Sequence, residues 1–259
     1  MLVKNQPRHS FAAVSFSAVL CTAALGIACN KKQVAAPAPA TNAVLLAATN
    51  VITITPKVEE EEVEFDIDKS TEHLTEGNAL LAAGKVPEAV EQYKLAVKYN
   101  PEDEDLFYNL ALAQARMGDT AAAKRNYAKS LEIYPDYIEA HNNLGNLLVS
   151  EGKYDEAITH FEKAVANGPG NASAHNNLGN AYARQNKIAQ SLVHFQTAVE
   201  LKADYPEAQF NLGNAYLILG RTDEAVKEFT RLLRLHPNFA RAQIQLDKAL
   251  RQKSQEASN

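Results

Sequence analysis

The amino-acid sequence predicts an all-α fold, a solenoid of stacked helical hairpins closed by a C-terminal capping helix, and three observations predict it. The strings NLALA (109–113), NLGNL (143–147), NLGNA (177–181) and NLGNA (211–215) begin 34 residues apart without an insertion. Extending that frame gives five units, 70–103, 104–137, 138–171, 172–205 and 206–239. Self-similarity at a fixed period marks a repeat architecture, in which each unit is too small to bury its own apolar face. Inside each unit, apolar and small residues recur at helical spacing in two stretches parted by a glycine or asparagine.

In the first stretch, positions 4, 7, 8 and 11 share one face: Phe107, Leu110, Ala111 and Gln114 in the second unit, His175, Leu178, Gly179 and Tyr182 in the fourth. Position 15 is Gly84, Gly118, Gly152, Asn186 and Gly220, the residue types that accept the left-handed conformation ending a helix. The second stretch places small, large and small residues at 20, 24 and 27, for example Ala157, Phe161 and Ala164. Pro101, Pro135, Pro169 and Pro237 follow it at position 32, with Ala203 the exception. Position 7 is leucine in the four later units and Glu76 in the first, which suits an end unit that no earlier one covers. Residues 240–253 continue the first-helix phase, with Leu246 at position 7, and read as the capping helix; 254–259 read as a disordered tail.

These residues together resemble the tetratricopeptide repeat, over 70–239. The resemblance implies a right-handed superhelix whose first helices line a concave groove, and a role in binding other proteins.

The first 69 residues differ in character. Lys4, Arg8 and His9 precede an uncharged apolar run over 11–28, the pattern of a secretory signal over 1–28. The run ends Leu25-Gly26-Ile27-Ala28-Cys29, which resembles the lipobox of bacterial lipoproteins, although Gly26 stands where leucine is usual. That resemblance implies lipid attachment at Cys29 and a place in the cell envelope on the periplasmic side, with Asn30 favouring the outer over the inner membrane. The alternatives are an uncleaved N-terminal helix, since eighteen apolar residues just suffice to span, and ordinary cleavage without lipid. Residues 29–69 hold an Ala/Pro stretch and an acidic block from Glu59 to Asp68, the composition of a solvated spacer.

On each first helix, positions 2, 5, 6, 9, 12 and 13 lie opposite the packing face. Asparagine recurs there: Asn109, Asn143, Asn177 and Asn211 at position 6, and Asn78, Asn146, Asn180 and Asn214 at position 9. An amide side chain pairs a donor with an acceptor, matching one peptide unit of an extended chain. The ladder resembles that of the repeat domain of O-GlcNAc transferases, which grips bound polypeptide; support of the scaffold is the competing role. Tyr108 and Phe210, with Leu217 and Ile218, add apolar groups, and Arg116 and Arg184 add cations. Lysine is absent from positions 2 and 5, unlike the chaperone adaptors that clamp a C-terminal carboxylate.

Other functions are disfavoured. The chain of 259 residues carries 26 Lys plus Arg against 31 Asp plus Glu, a net charge of -5, and has no basic stripe for nucleic acid. Its 2 cysteines, Cys21 and Cys29, lie outside the repeats. His141 and His175 share position 4, and His160 and His194 share position 23; equivalent side chains one unit apart stand roughly 10 Å from each other, too far to share zinc, so no metal is expected. No GxSxG, HExxH, P-loop or dinucleotide fingerprint occurs, and no enzyme, cofactor or small-molecule substrate is expected. The reading is a membrane-tethered, non-catalytic scaffold for a protein or peptide partner, with a pilotin-like assembly factor of an envelope complex as the alternative.

Overall fold

A computed structural model describes residues 65–256. The expected signal (1–28), Cys29, most of the expected spacer and residues 257–259 lie outside the described residues. Eleven helices and no strand occur among the described residues: α1 Ile67–Ala82, α2 Val86–Tyr99, α3 Glu104–Arg116, α4 Thr120–Ile133, α5 Ile138–Ser150, α6 Tyr154–Asn167, α7 Ala172–Arg184, α8 Ile188–Leu201, α9 Pro206–Ile218, α10 Thr222–Leu235 and α11 Ala240–Glu256. Each odd-numbered helix from α1 to α9 packs against the even one that follows, each hairpin packs on the next, and α11 packs on α10, giving a helical-hairpin solenoid.

Two boundaries differ from the sequence expectation. The first helix starts at Ile67 because Asp66 caps it, its carboxylate accepting from Lys69 N–H at 3.0 Å, so 67–69 are helical rather than spacer. The last helix runs to Glu256 rather than stopping at 253, so 254–256 belong to the cap and not to a disordered tail.

The turn at position 15 is what the chain needs there. Gly118 has φ +83° and Asn186 has φ 61°. Each turn closes with a pair of backbone bonds, as in Gly118 N–H to Ala115 O at 3.1 Å and Asp119 N–H to Gln114 O at 3.0 Å. The proline at position 32 is dispensable as a stop, for α8 ends at Leu201, in register with α6 and α10, although Ala203 replaces proline.

Between the helices of a hairpin the aromatic at position 24 is the keystone. Tyr93, Tyr127, Phe161, Phe195 and Phe229 are all buried. Four of these rings lie over a glycine at position 8: a Cβ on Gly77, Gly145, Gly179 or Gly213 would come within 2.6–2.7 Å of the ring. That distance is well inside carbon–carbon contact, so the close helix approach requires the missing side chain. Glu76 is exposed in the first unit, and Leu246 of α11 packs against the buried cluster of the last two repeats at the other end.

Candidate functional site

The first helices touch one another in series, α5 with α7, α7 with α9 and α9 with α11, which sets them along the inner, more tightly curved side of the stack. The structure divides the asparagines of the first helices into two groups.

Four are tied into the scaffold. Asn143 Nδ2 donates to the Tyr108 hydroxyl of the preceding repeat at 3.1 Å. Burial raises the Tyr108 pKa above its ordinary value, so the hydroxyl stays protonated and serves as the acceptor. Asn211 Nδ2 donates to Asn176 Oδ1 at 3.0 Å and to Asn180 Oδ1 at 3.1 Å, stitching α9 to α7. Asn78 Oδ1 accepts from the Tyr93 hydroxyl at 2.8 Å. The other four, Asn109, Asn146, Asn177 and Asn214, make no side-chain hydrogen bond within the described residues.

A cleft of about 360 Å³ opens on the inner face, lined by Asn146, Val149, Asn176, Asn177, Asn180, Arg184, Tyr205, Glu207 and Asn211. A second depression of about 180 Å³ adjoins it, sharing Asn180 and Asn211 and adding Asn214 and Ile218. Six of the expected site residues thus converge on repeats three to five: Asn146, Asn177, Asn180, Asn211, Asn214 and Arg184. Asn78, Asn109, Asn143, Tyr108, Phe210 and Arg116 line neither space.

Tyr108 and Phe210 do not stand free on the inner face. Tyr108 packs on Tyr137 at 5.0 Å and Tyr127 at 5.8 Å between ring centroids. Phe210 packs on Phe239 at 5.6 Å and Phe229 at 6.0 Å, with the Arg241 guanidinium 4.9 Å from its ring. Both seal a seam between position 5 and the aromatic at position 34. Ile218, by contrast, is 65 % exposed.

The sequence reading missed Val149, Tyr205 and Glu207. Tyr205 closes the repeat that carries Asn177, and Glu207 enters the cleft from the next repeat at the start of α9, so the stacking brings it to Asn177. Glu207 is held by Arg241 at 2.8 and 2.9 Å, which leaves Arg184 as the cleft's cation without an ion-pair partner among the described residues. One buried acceptor at this face, Asn142 Oδ1, has no hydrogen-bond partner. It occupies the position from which Asn176 engages Asn211, so the Asn142–Asn177 step of the ladder is open. No group of three or more His, Cys, Asp or Glu with metal-site geometry occurs among the described residues.

Models described as TPR repeat match residues 77–118, 145–186 and 179–220, and models described as tetratricopeptide repeat match 105–137, 126–159 and 206–239. The chain belongs to the tetratricopeptide repeat family. Repeats of this family are protein-interaction scaffolds, and the inner face is where this chain offers unengaged amides. The DnaJ homolog subfamily C member 3 of Bos taurus is 36% identical over 95 residues, 37% of this chain and 18% of that protein. The chain therefore spans about a fifth of the length of such curated relatives. Among solved structures, MamA from Desulfovibrio magneticus RS-1 is 24% identical with a TM-score of 0.61, covering 66% of this chain and 97% of that one. The Pseudomonas aeruginosa pilF structure is 20% identical with a TM-score of 0.64, covering 74% and 88%. These two likenesses concern the fold.

Proposed function

We propose that this tetratricopeptide repeat protein is a non-catalytic scaffold that holds an extended polypeptide segment across the inner face of repeats three to five. The observation that carries this reading is the set of unengaged amides, Asn146, Asn177 and Asn214, around adjoining depressions that also hold Arg184 and the exposed Ile218. Amides spaced along successive first helices suit backbone groups irrespective of sequence. Arg184 favours an acidic side chain beside them, and Ile218 an apolar one. A photo-crosslinking residue at Ile218 should capture such a segment in vivo, and alanine at Asn146, Asn177 and Asn214 together should weaken capture about 100-fold, at about 1 kcal/mol for each lost hydrogen bond. Undiminished capture by the triple variant would sink the reading.

The tether belongs to the same proposal. The signal-like segment ending at Cys29 supports lipid attachment on the periplasmic side of a bacterial envelope, with 29–66 as the spacer. No helix among the described residues is long and apolar enough to cross a membrane, so any anchor lies elsewhere in the chain. Cys29→Ser should move the protein from the membrane to the soluble fraction; unchanged membrane association would exclude the lipid. An envelope assembly factor would differ by co-purifying stoichiometrically with one complex.

A further inference from the structure

Away from the inner face, residues 19 apart meet across each hairpin, where position 4 of the first helix opposes position 23 of the second. Repeat one sets His73 Nδ1 2.7 Å from Gln92 Oε1, and in repeat five Gln209 Nε2 donates to Glu228 at 3.2 Å. The two repeats between them that carry histidine at position 4 oppose imidazole to imidazole. His141 Nδ1 is 2.9 Å from His160 Nδ1, and His175 Nδ1 is 3.3 Å from His194 Nδ1. The short histidine contact runs across each hairpin, between positions 4 and 23, and not along the stack between equivalent positions.

The inner histidine of each pair is fixed by a second contact. His141 Nε2 lies 2.9 Å from Pro135 O, and His175 Nε2 lies 3.2 Å from Pro169 O, each the proline closing the preceding repeat. A carbonyl oxygen only accepts, so Nε2 carries the proton, and Nδ1 of the neutral ring presents its lone pair to the facing imidazole. Carbonyl contacts of this kind orient the histidines of metal centres. Zinc–nitrogen bonds of about 2.0–2.1 Å at a tetrahedral angle separate two ligand nitrogens by about 3.3–3.4 Å. The repeat-four pair already stands at 3.3 Å, and the repeat-three pair needs an opening of about 0.4 Å to reach the same bite. The latter lines an open cavity of about 310 Å³ beside Leu131, Glu132 and Lys163, ample for waters at the remaining positions.

We propose that His141 with His160, and His175 with His194, form two bidentate imidazole sites, each taking one divalent transition-metal ion of the zinc type with water completing the shell; the outer imidazole, whose Nδ1–H donates to the inner ring in the metal-free chain, shifts that proton to its own Nε2 by exchange with solvent and so frees Nδ1 as the second ligand. With two protein ligands apiece, such sites exchange their ion rather than hold it permanently.

The test uses Zn²⁺ alone, titrated into the full chain near neutral pH in competition with a chromogenic chelator, beside His160→Gln, His194→Gln and the double variant. Glutamine opposite histidine is a pair this fold already accepts at His73 and Gln92, so the variants should fold, which metal-free thermal unfolding checks. The expected result is a loss of about one zinc equivalent in each single variant and about two in the double. Zinc should also raise the Tm of the parent chain and not that of the double variant. Equal zinc uptake by the parent and the double variant, or no uptake by the parent, would overturn the proposal.

Discussion

Alanine at Asn211 and alanine at Asn177 should have opposite consequences, although the two residues occupy the same position in successive repeats. Asn211 Nδ2 bonds Asn176 Oδ1 at 3.0 Å and Asn180 Oδ1 at 3.1 Å, and Asn176 is only 5 % exposed. Removing the donor strands a buried acceptor at about 1–3 kcal/mol, so about 2 kcal/mol is the expected cost. For a domain of this size each kcal/mol moves Tm by about 2–4 °C, giving a drop of roughly 4–8 °C. Asn177 makes no such bond, and Asn177→Ala should stay within about 0.5 kcal/mol of the parent while weakening partner capture. Thermal unfolding followed by circular dichroism reads the first difference. Hydrogen exchange localises it, because a stack of repeats opens piecewise and loss of the Asn211 bonds should deprotect α7 and α9 first. Equal destabilisation by the two substitutions would refute the division of the ladder into stitching and open amides.

Phe161→Ala empties a fully buried site between Gly145 and its own helix, and urea unfolding should show a loss of about 3–5 kcal/mol. Gly179→Ala puts a methyl 2.7 Å from Phe195, but repeat two already carries Ala111 against a buried Tyr127; overpacking of about 1–3 kcal/mol less about 1 kcal/mol of helix propensity leaves a net loss of about 1 kcal/mol. In metal-free buffer, burial and the facing His141 push the His160 pKa down to about 4, so the unfolded chain takes up its proton first as pH falls. Stability should be unaffected by this group above pH about 6.5, fall between about 6.5 and about 4, and level off below. His160→Gln should flatten that part of the urea-midpoint profile; a profile that keeps its full slope would exclude His160 as the source.

The packing was legible in the sequence and the hydrogen bonding was not, for one physical reason. A residue such as Phe161 meets Gly145, which its own repeat supplies at a fixed spacing, so the period of 34 states the contact. The amide at position 6 instead meets position 5 of the preceding repeat, where the residue changes along the stack. Asn143 finds the Tyr108 hydroxyl, Asn211 finds Asn176, and Asn177 stands in register with Asn142, whose oxygen is left without a partner. A periodic row of identical residues therefore carries non-identical duties, and alignment of the repeats on one another conceals this. The histidines show the same effect turned through a right angle: read down the columns they stand a repeat apart, and read across each hairpin they are pairs. Where a repeat protein binds is thus decided by departures from its own repeat, and in this chain those departures gather at repeats three and four. The open Asn142–Asn177 step is the inner-face departure, the two imidazole pairs are the others, and substituting one set should leave the other's readout, polypeptide capture or zinc uptake, unchanged.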